Sequence, residues 1–228
     1  SSVKGIKIGV PTNFLERGMD ESVKNAINKA IEFFKDNGAE IVDIKLDKID
    51  KALPTYYTLA CAEASSNLGR YDGIRFGKRA ENFTDLVDLY YKSRTEGFGK
   101  EVKRRIMLGN FVLSSGYYDA YYKKAKKVQQ IIKDEFTKAF KNVDVILTPT
   151  SPFTAFKIGE KVNDHIKMYL SDIFTVPVNI ASLPAINIPC GKDENNMPIG
   201  LQLIGDKFSE QTLFNVADFF ETNKGGEN

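Results

Sequence analysis

Apolar and polar positions follow two periods along this chain, and the change from one to the other marks its elements. Ile6 to Val10, with Lys7 between the apolar Ile6 and Ile8, is stopped by Pro11 and predicts a strand. Over residues 20–36, Val23, Ala26, Ile27, Ala30, Ile31 and Phe34 recur at three-and-four spacing, which predicts a helix with one apolar stripe. Asp20 suits its N-cap and Gly38 its C-terminal stop. Ile41, Val42, Ile44 and Leu46 predict a second strand. The chain therefore opens as strand, helix, strand with a parallel pair.

Helical spacing returns over 50–71, with Leu53, Tyr56, Leu59 and Ala60 on one face. The stretch 72–99 is punctuated by glycines and predicts a loop with one short helix near 83–94. Two longer helices follow. The first, near 100–114, turns Val102, Ile106, Gly109 and Leu113 inward. The second, near 118–141, turns Val128, Ile131, Ile132, Phe136, Ala139 and Phe140 inward. Val143 to Leu147, apolar except for Asp144, predicts a strand buried on both faces. Residues 148–167 form a Thr/Ser/Pro-rich connection, and a short helical piece is expected near 168–183. Ile186–Pro189 and Ile199–Ile204 flank a polar loop and predict a hairpin, followed by a helix over 210–221 and a flexible tail over 222–228. The sum is an α/β fold with a mixed sheet flanked by helices, in one unit that no linker divides.

Composition narrows the chemistry. Hydrophobic residues make up 42% of the 228 and charged residues 27%, enough to bury a core. A net charge of +2 argues against broad electrostatic wrapping of nucleic acid. Cys61 and Cys190 stand alone, which excludes a disulfide framework and a cysteine-rich zinc site and suits a reduced, cytoplasmic chain. His165 is the only histidine, so a multi-histidine metal site is impossible and a Ser-His-Asp triad would have to use it. Neither a membrane span nor a signal peptide shows. Phosphate-loop and nucleophile-elbow motifs are absent. The run Lys123-Lys124-Ala125-Lys126-Lys127 reads as a solvated helix face, with a contact to RNA or an acidic partner as the alternative.

Four stretches carry a resemblance. They are Glu63-Ala64-Ser65-Ser66-Asn67-Leu68-Gly69-Arg70-Tyr71-Asp72-Gly73; Glu96-Gly97-Phe98-Gly99 with Glu101-Val102-Lys103-Arg104-Arg105-Ile106; Ser114-Ser115-Gly116-Tyr117-Tyr118-Asp119-Ala120-Tyr121-Tyr122; and Pro198-Ile199-Gly200-Leu201-Gln202-Leu203-Ile204-Gly205. Together they resemble the C-terminal part of the A subunits of glutamyl-tRNA(Gln)/aspartyl-tRNA(Asn) amidotransferases, within the amidase signature family. The resemblance implies that residues 1–221 are the C-terminal part of a single amidase signature domain. It implies an enzyme component that hydrolyses glutamine and passes ammonia to the B subunit. The B subunit would use ATP and Mg to amidate glutamyl-tRNA, with the C subunit completing the assembly. No cofactor is expected in this chain, and contact with tRNA only through the B subunit.

That family works through a Ser–cis-Ser–Lys triad whose serines lie in a glycine-rich signature. This sequence holds no Gly-Gly-Ser-Ser-Gly run, and Ser65-Ser66 and Ser114-Ser115 lack the flanking glycines whose amides would hold an oxyanion. No catalytic residue and no metal ligand is therefore assigned, and the chain is expected to be an inactive fragment. What the resemblance implies instead is a glutamine pocket. Arg105 matches the residue that binds the α-carboxylate, Asp172 the acidic residue near the α-ammonium, and Tyr56 a tyrosine that touches substrate. A structural ion pair for Arg105, helix capping for Asp172 and core packing for Tyr56 are the plainer readings of the same side chains. Two other functions stay open: an amidase acting on an uncharged amide, and a non-catalytic docking module for partner subunits.

Overall fold

The computed structural model describes residues 2–15, 18–159, 168 and 170–224. Its sheet begins with β1 (Lys7–Val10), which leads through the short α1 (Thr12–Leu15) to α2 (Glu21–Asp36) and β2 (Glu40–Asp43). β1 and β2 pair in parallel, as the opening pattern predicts. α2 buries Val23, Ala26, Ile27, Ala30 and Phe34 of the expected stripe, with Ile31 half-buried, and Gly38 takes the positive φ of 89° that a side chain would resist. Asp20 occupies the N-cap, though its side chain makes no capping hydrogen bond.

The remaining strands are β3 (Val145–Pro149), β4 (Ala185–Lys192) and β5 (Pro198–Gly205), and the sheet order is β2-β1-β3-β5-β4. β3 runs parallel to β1 and antiparallel to β5, so the sheet is mixed. Every residue of β3 is buried, which explains the apolar stretch Val145–Leu147. Ile8, Val145, Leu147, Leu201 and Leu203 join the α2 stripe in one core. α8 (Glu210–Asn223) closes it with Leu213, Val216, Ala217 and Phe220. Phe34 stacks on Phe220 at 5.3 Å, and Phe33 meets both edge-on. Pro189 sits on the edge strand β4, where the register shifts and a missing N–H is tolerated.

Two polar side chains are buried between these apolar ones. Gln202 donates from Nε2 to Thr148 Oγ1 at 2.9 Å and to the carbonyl of Phe174 at 3.1 Å. That ties β5 to the segment before α7 (Val176–Ala181) and satisfies an amide that would otherwise be costly to bury.

Between β2 and β3 the chain is helical. α3 (Ala52–Asn67), α4 (Leu86–Gly97) and α5 (Lys100–Leu113) are followed by a π-helical turn (Tyr118–Lys123) and α6 (Lys124–Ala139). Where the sequence suggests one unit, the chain forms two: Ser1–Leu53 with Gln129–Asn228, and Pro54–Val128. Both boundaries fall inside helices, α3 and α6, so no Gly- or Pro-rich linker announces them.

Within the smaller unit α4 starts three residues later than the expected helix near 83–94. The reason is a capping arrangement: Asp85 Oδ1 accepts the Asp88 amide, and Asp88 Oδ2 accepts the Thr84 amide, both at 2.9 Å. α5 packs on α3 through Gly109. A Cβ there would lie 2.5 Å from Ser65 Cβ and would overlap the Cys61 carbonyl. Gly109 and Val112 are the buried positions of α5; Val102, Ile106 and Leu113 are only half-buried. On α6, in the larger unit, Ile132, Phe136 and Ala139 are buried as expected, but Ile131 is exposed. Thr222 and Asn223 end α8 rather than fray, while 225–228 and His165 lie outside the described residues.

Candidate functional site

Arg105 sits on α5, four residues after Glu101. At that spacing the two side chains share one helix face, and Arg105 Nε donates to Glu101 Oε1 at 3.0 Å. Arg104, one position earlier, donates from Nη1 to Glu101 Oε2 at 2.9 Å. A single carboxylate thus lies between two guanidinium groups. The three side chains are between a third and a half exposed, and ion pairs in such surroundings contribute about 0–1 kcal/mol to stability. The arrangement fixes orientation far more than it holds the fold together.

The Arg105 guanidinium also lies 5.7 Å from the ring centroid of Tyr57, a cation–π contact. Tyr56 meets Tyr57 edge-on, with centroids 5.3 Å apart and planes at 84°. Tyr56 is half-buried rather than a core residue. α3 and α5 thereby bring Tyr56, Tyr57, Glu101 and Arg105 into one chain of contacts within the smaller unit. Cys61 lies close to it. Burial pushes its thiol pKa up, while the Arg105 charge pulls it down and the Glu101 charge raises it further.

Asp172 belongs to the larger unit. It stands in the turn before α7, where its carbonyl accepts the amides of Val176 at 2.9 Å and Thr175 at 3.2 Å. The N-cap position of α7 is Thr175. Ser171, next in the chain, lines a hollow of about 350 Å³ in the same unit, with Thr150, Thr154, Asn187 and Gly200. Gly200 is required there, since a Cβ would lie 2.7 Å from Thr150 Oγ1. Thr154 donates to Asp193 Oδ2 at 2.7 Å, which together with the amides of Met197 and Asn195 holds the Asp193 carboxyl below its usual pKa.

The family resemblance points to Tyr56 and Arg105 but not to Tyr57 or the Glu101–Arg105 pair. The i,i+4 spacing is a legible signal for Glu101. Tyr57 has none, because only the packing of α3 on α5 chooses between two adjacent tyrosines. Tyr117 and Tyr121 form an exposed group with Phe111, whose ring lies 4.2 Å from that of Tyr117. Among the described residues no His, Cys, Asp and Glu side chains cluster as a metal ion would need, and no helix is long and apolar enough to cross a membrane.

Comparison with known proteins bears on this geometry. Residues 1–214 match the amidase family. A curated protein of Caldanaerobacter subterraneus, the A subunit of glutamyl-tRNA(Gln) amidotransferase, is 60% identical over 219 residues, covering 96% of this chain and 45% of that protein. A crystal structure of the corresponding A subunit of glutamyl-tRNA(Gln) amidotransferase from Thermotoga maritima is 41% identical with a TM-score of 0.74, over 97% of this chain and 43% of that one. A solved amidase at 22% identity and a TM-score of 0.75, matched over 97% of this chain and 46% of its own, shares the fold. The chain spans a little under half the length of these proteins.

Proposed function

The chain belongs to the amidase family, and from that premise we propose that it carries the substrate-recognition part of a glutamine-hydrolysing amidotransferase A subunit. The observation that carries this reading is 60% identity, across nearly the whole chain, to a protein of that name. Free glutamine presents an α-carboxylate and an α-ammonium, so a selective site wants one fixed cation and one fixed anion. Arg105 is the cation in this reading. Its plane is set by Glu101 at Nε and by the Tyr57 ring, and a planar guanidinium so held grips a carboxylate with two parallel hydrogen bonds. The family resemblance assigns Asp172 to the ammonium, and Tyr56, edge-on to Tyr57, offers its ring beside Arg105.

The serine nucleophile, its partner serine and the lysine would come from a glycine–serine signature that this sequence does not contain. The 228 residues alone therefore bind rather than hydrolyse. Ammonia released by the full-length enzyme component passes to the B subunit, which uses ATP and Mg to activate glutamyl-tRNA. The B and C subunits, with tRNA reached through the former, are the partners in this account.

The test uses the chain extended to the length of its relatives and assembled with the B and C subunits. Arg105→Ala and Asp172→Ala are each expected to lower glutaminase kcat/KM by roughly 100-fold, as loss of one partner of a desolvated charge pair does. Unchanged turnover of glutamine would instead favour an amidase for an uncharged amide.

A further inference from the structure

We infer that Glu101 is a positioning residue for substrate, acting through Arg105. The inference rests on the reading of Arg105 just given. Glu101 is the acidic residue in the first turn of α5, three residues before Arg104 and four before Arg105. Its two oxygens are divided between them, Oε2 to Arg104 at 2.9 Å and Oε1 to Arg105 at 3.0 Å. Two adjacent guanidinium groups repel each other, and a carboxylate between them offsets that repulsion and draws both to fixed places.

The two arginines are held differently. Arg105 is bound at Nε and lies over Tyr57, so both its position along the helix face and the tilt of its plane are set. Bidentate recognition of a carboxylate depends on that plane, because two parallel N–H bonds must point the same way. A guanidinium on a long flexible stem loses rotamer entropy whenever it is ordered by its ligand; one ordered beforehand does not. Glu101 thus contributes to binding without touching substrate. Its own exposure and the small worth of exposed ion pairs make a role in global stability secondary.

The experiment measures steady-state glutamine hydrolysis by the extended chain, in complex with its partner subunits, with Glu101→Gln, Glu101→Asp and Arg105→Ala in parallel. Glu101→Gln is expected to raise KM for glutamine about tenfold with kcat within about threefold, since ordering lost before binding is recovered in the bound complex. Glu101→Asp, which keeps the charge on a shorter stem, should recover part of the loss. Melting temperatures of both variants should stay with the parent. If Arg105→Ala abolishes activity while Glu101→Gln leaves KM unchanged, the inference fails and the reading of Arg105 stands. If Arg105→Ala also leaves glutamine turnover intact, that reading falls and takes the inference with it. A fall in kcat together with a lowered melting temperature in both Glu101 variants would mark a purely structural role and overturn the inference.

Discussion

The two units solve the burial problem differently. The larger one has a sheet whose central strand is buried on both faces, and its biggest side chains, Phe34 and Phe136 among them, are almost wholly enclosed. The smaller one is made of helices whose close contacts rest on a glycine, Gly109, and on half-buried aromatic rings. Most of the exposed large hydrophobic side chains belong to it, including Tyr91 and Met107, each more than 70% exposed. The difference teaches where stability and recognition reside. The sheet unit has apolar area to spare for holding a fold, while the helical unit carries the ordered arginine on a thinner core.

The largest effect that can break this comparison lies in the sheet unit. Phe34→Ala would remove a ring stacked on Phe220 and should cost about 4 kcal/mol, read from denaturant unfolding of the whole chain. An effect below about 1 kcal/mol would mean that the α2–α8 contact is not the core of that unit. Next comes Gly109→Ala. A methyl group cannot fit against the Cys61 carbonyl and Ser65, so α3 and α5 must part at a cost of about 3 kcal/mol. Hydrogen exchange should then quicken in 54–128 and leave β3 protected; uniform acceleration would erase the distinction between the units.

The two thiols sharpen the comparison further, since each unit holds one. Burial raises both, Cys190 up to about 11 and Cys61 in the same direction. Neither is a reactive thiolate at about pH 8, so alkylation there reports local opening. Cys61 is expected to react faster than Cys190 although its side chain is the less exposed of the two, because its helices open more readily. The reverse order would place the weaker unit around the sheet.

The smallest effect is acid sensitivity of the β4–β5 turn. The Asp193 carboxyl is held below its ordinary pKa by the Thr154 hydroxyl and the amides of Met197 and Asn195. With the folded value depressed, its contribution is complete above the unfolded value, near 3.8, and is lost as pH falls through the lower folded value. Asp193→Asn should flatten that acid limb slightly and add no new slope from about pH 7 to about pH 9, as followed by thermal melts across pH.

Much of the sheet unit is legible without coordinates, because each element has its own local signal. The α2 stripe, Gly38 at its end, the apolar Val145-Ile146-Leu147 of β3 and the polar loop of the hairpin each name a structure that a few neighbouring residues can enforce. The helical unit is less legible. Glycine punctuation misplaces the start of α4 because Thr84, Asp85 and Asp88 cap the helix through side chains that such punctuation ignores. Hydrophobic spacing turns Ile131 inward because a stripe on α6 shows period but not width. It makes the turn Tyr118–Lys123 an ordinary helix because a π turn leaves no mark on a three-and-four pattern.

The sequence by itself determined the α/β class, the parallel opening unit, the closing hairpin and the residue types of the candidate site. The first three follow from periodicity, caps and spacing along one chain, and the last from likeness to a family. Only the tertiary structure decided that the helices form a unit of their own, that Tyr57 rather than Tyr56 lies against Arg105, and that Glu101 divides its carboxylate between two arginines. Those choices depend on which faces of separate helices meet, and on side-chain rotamers that settle only once they have met.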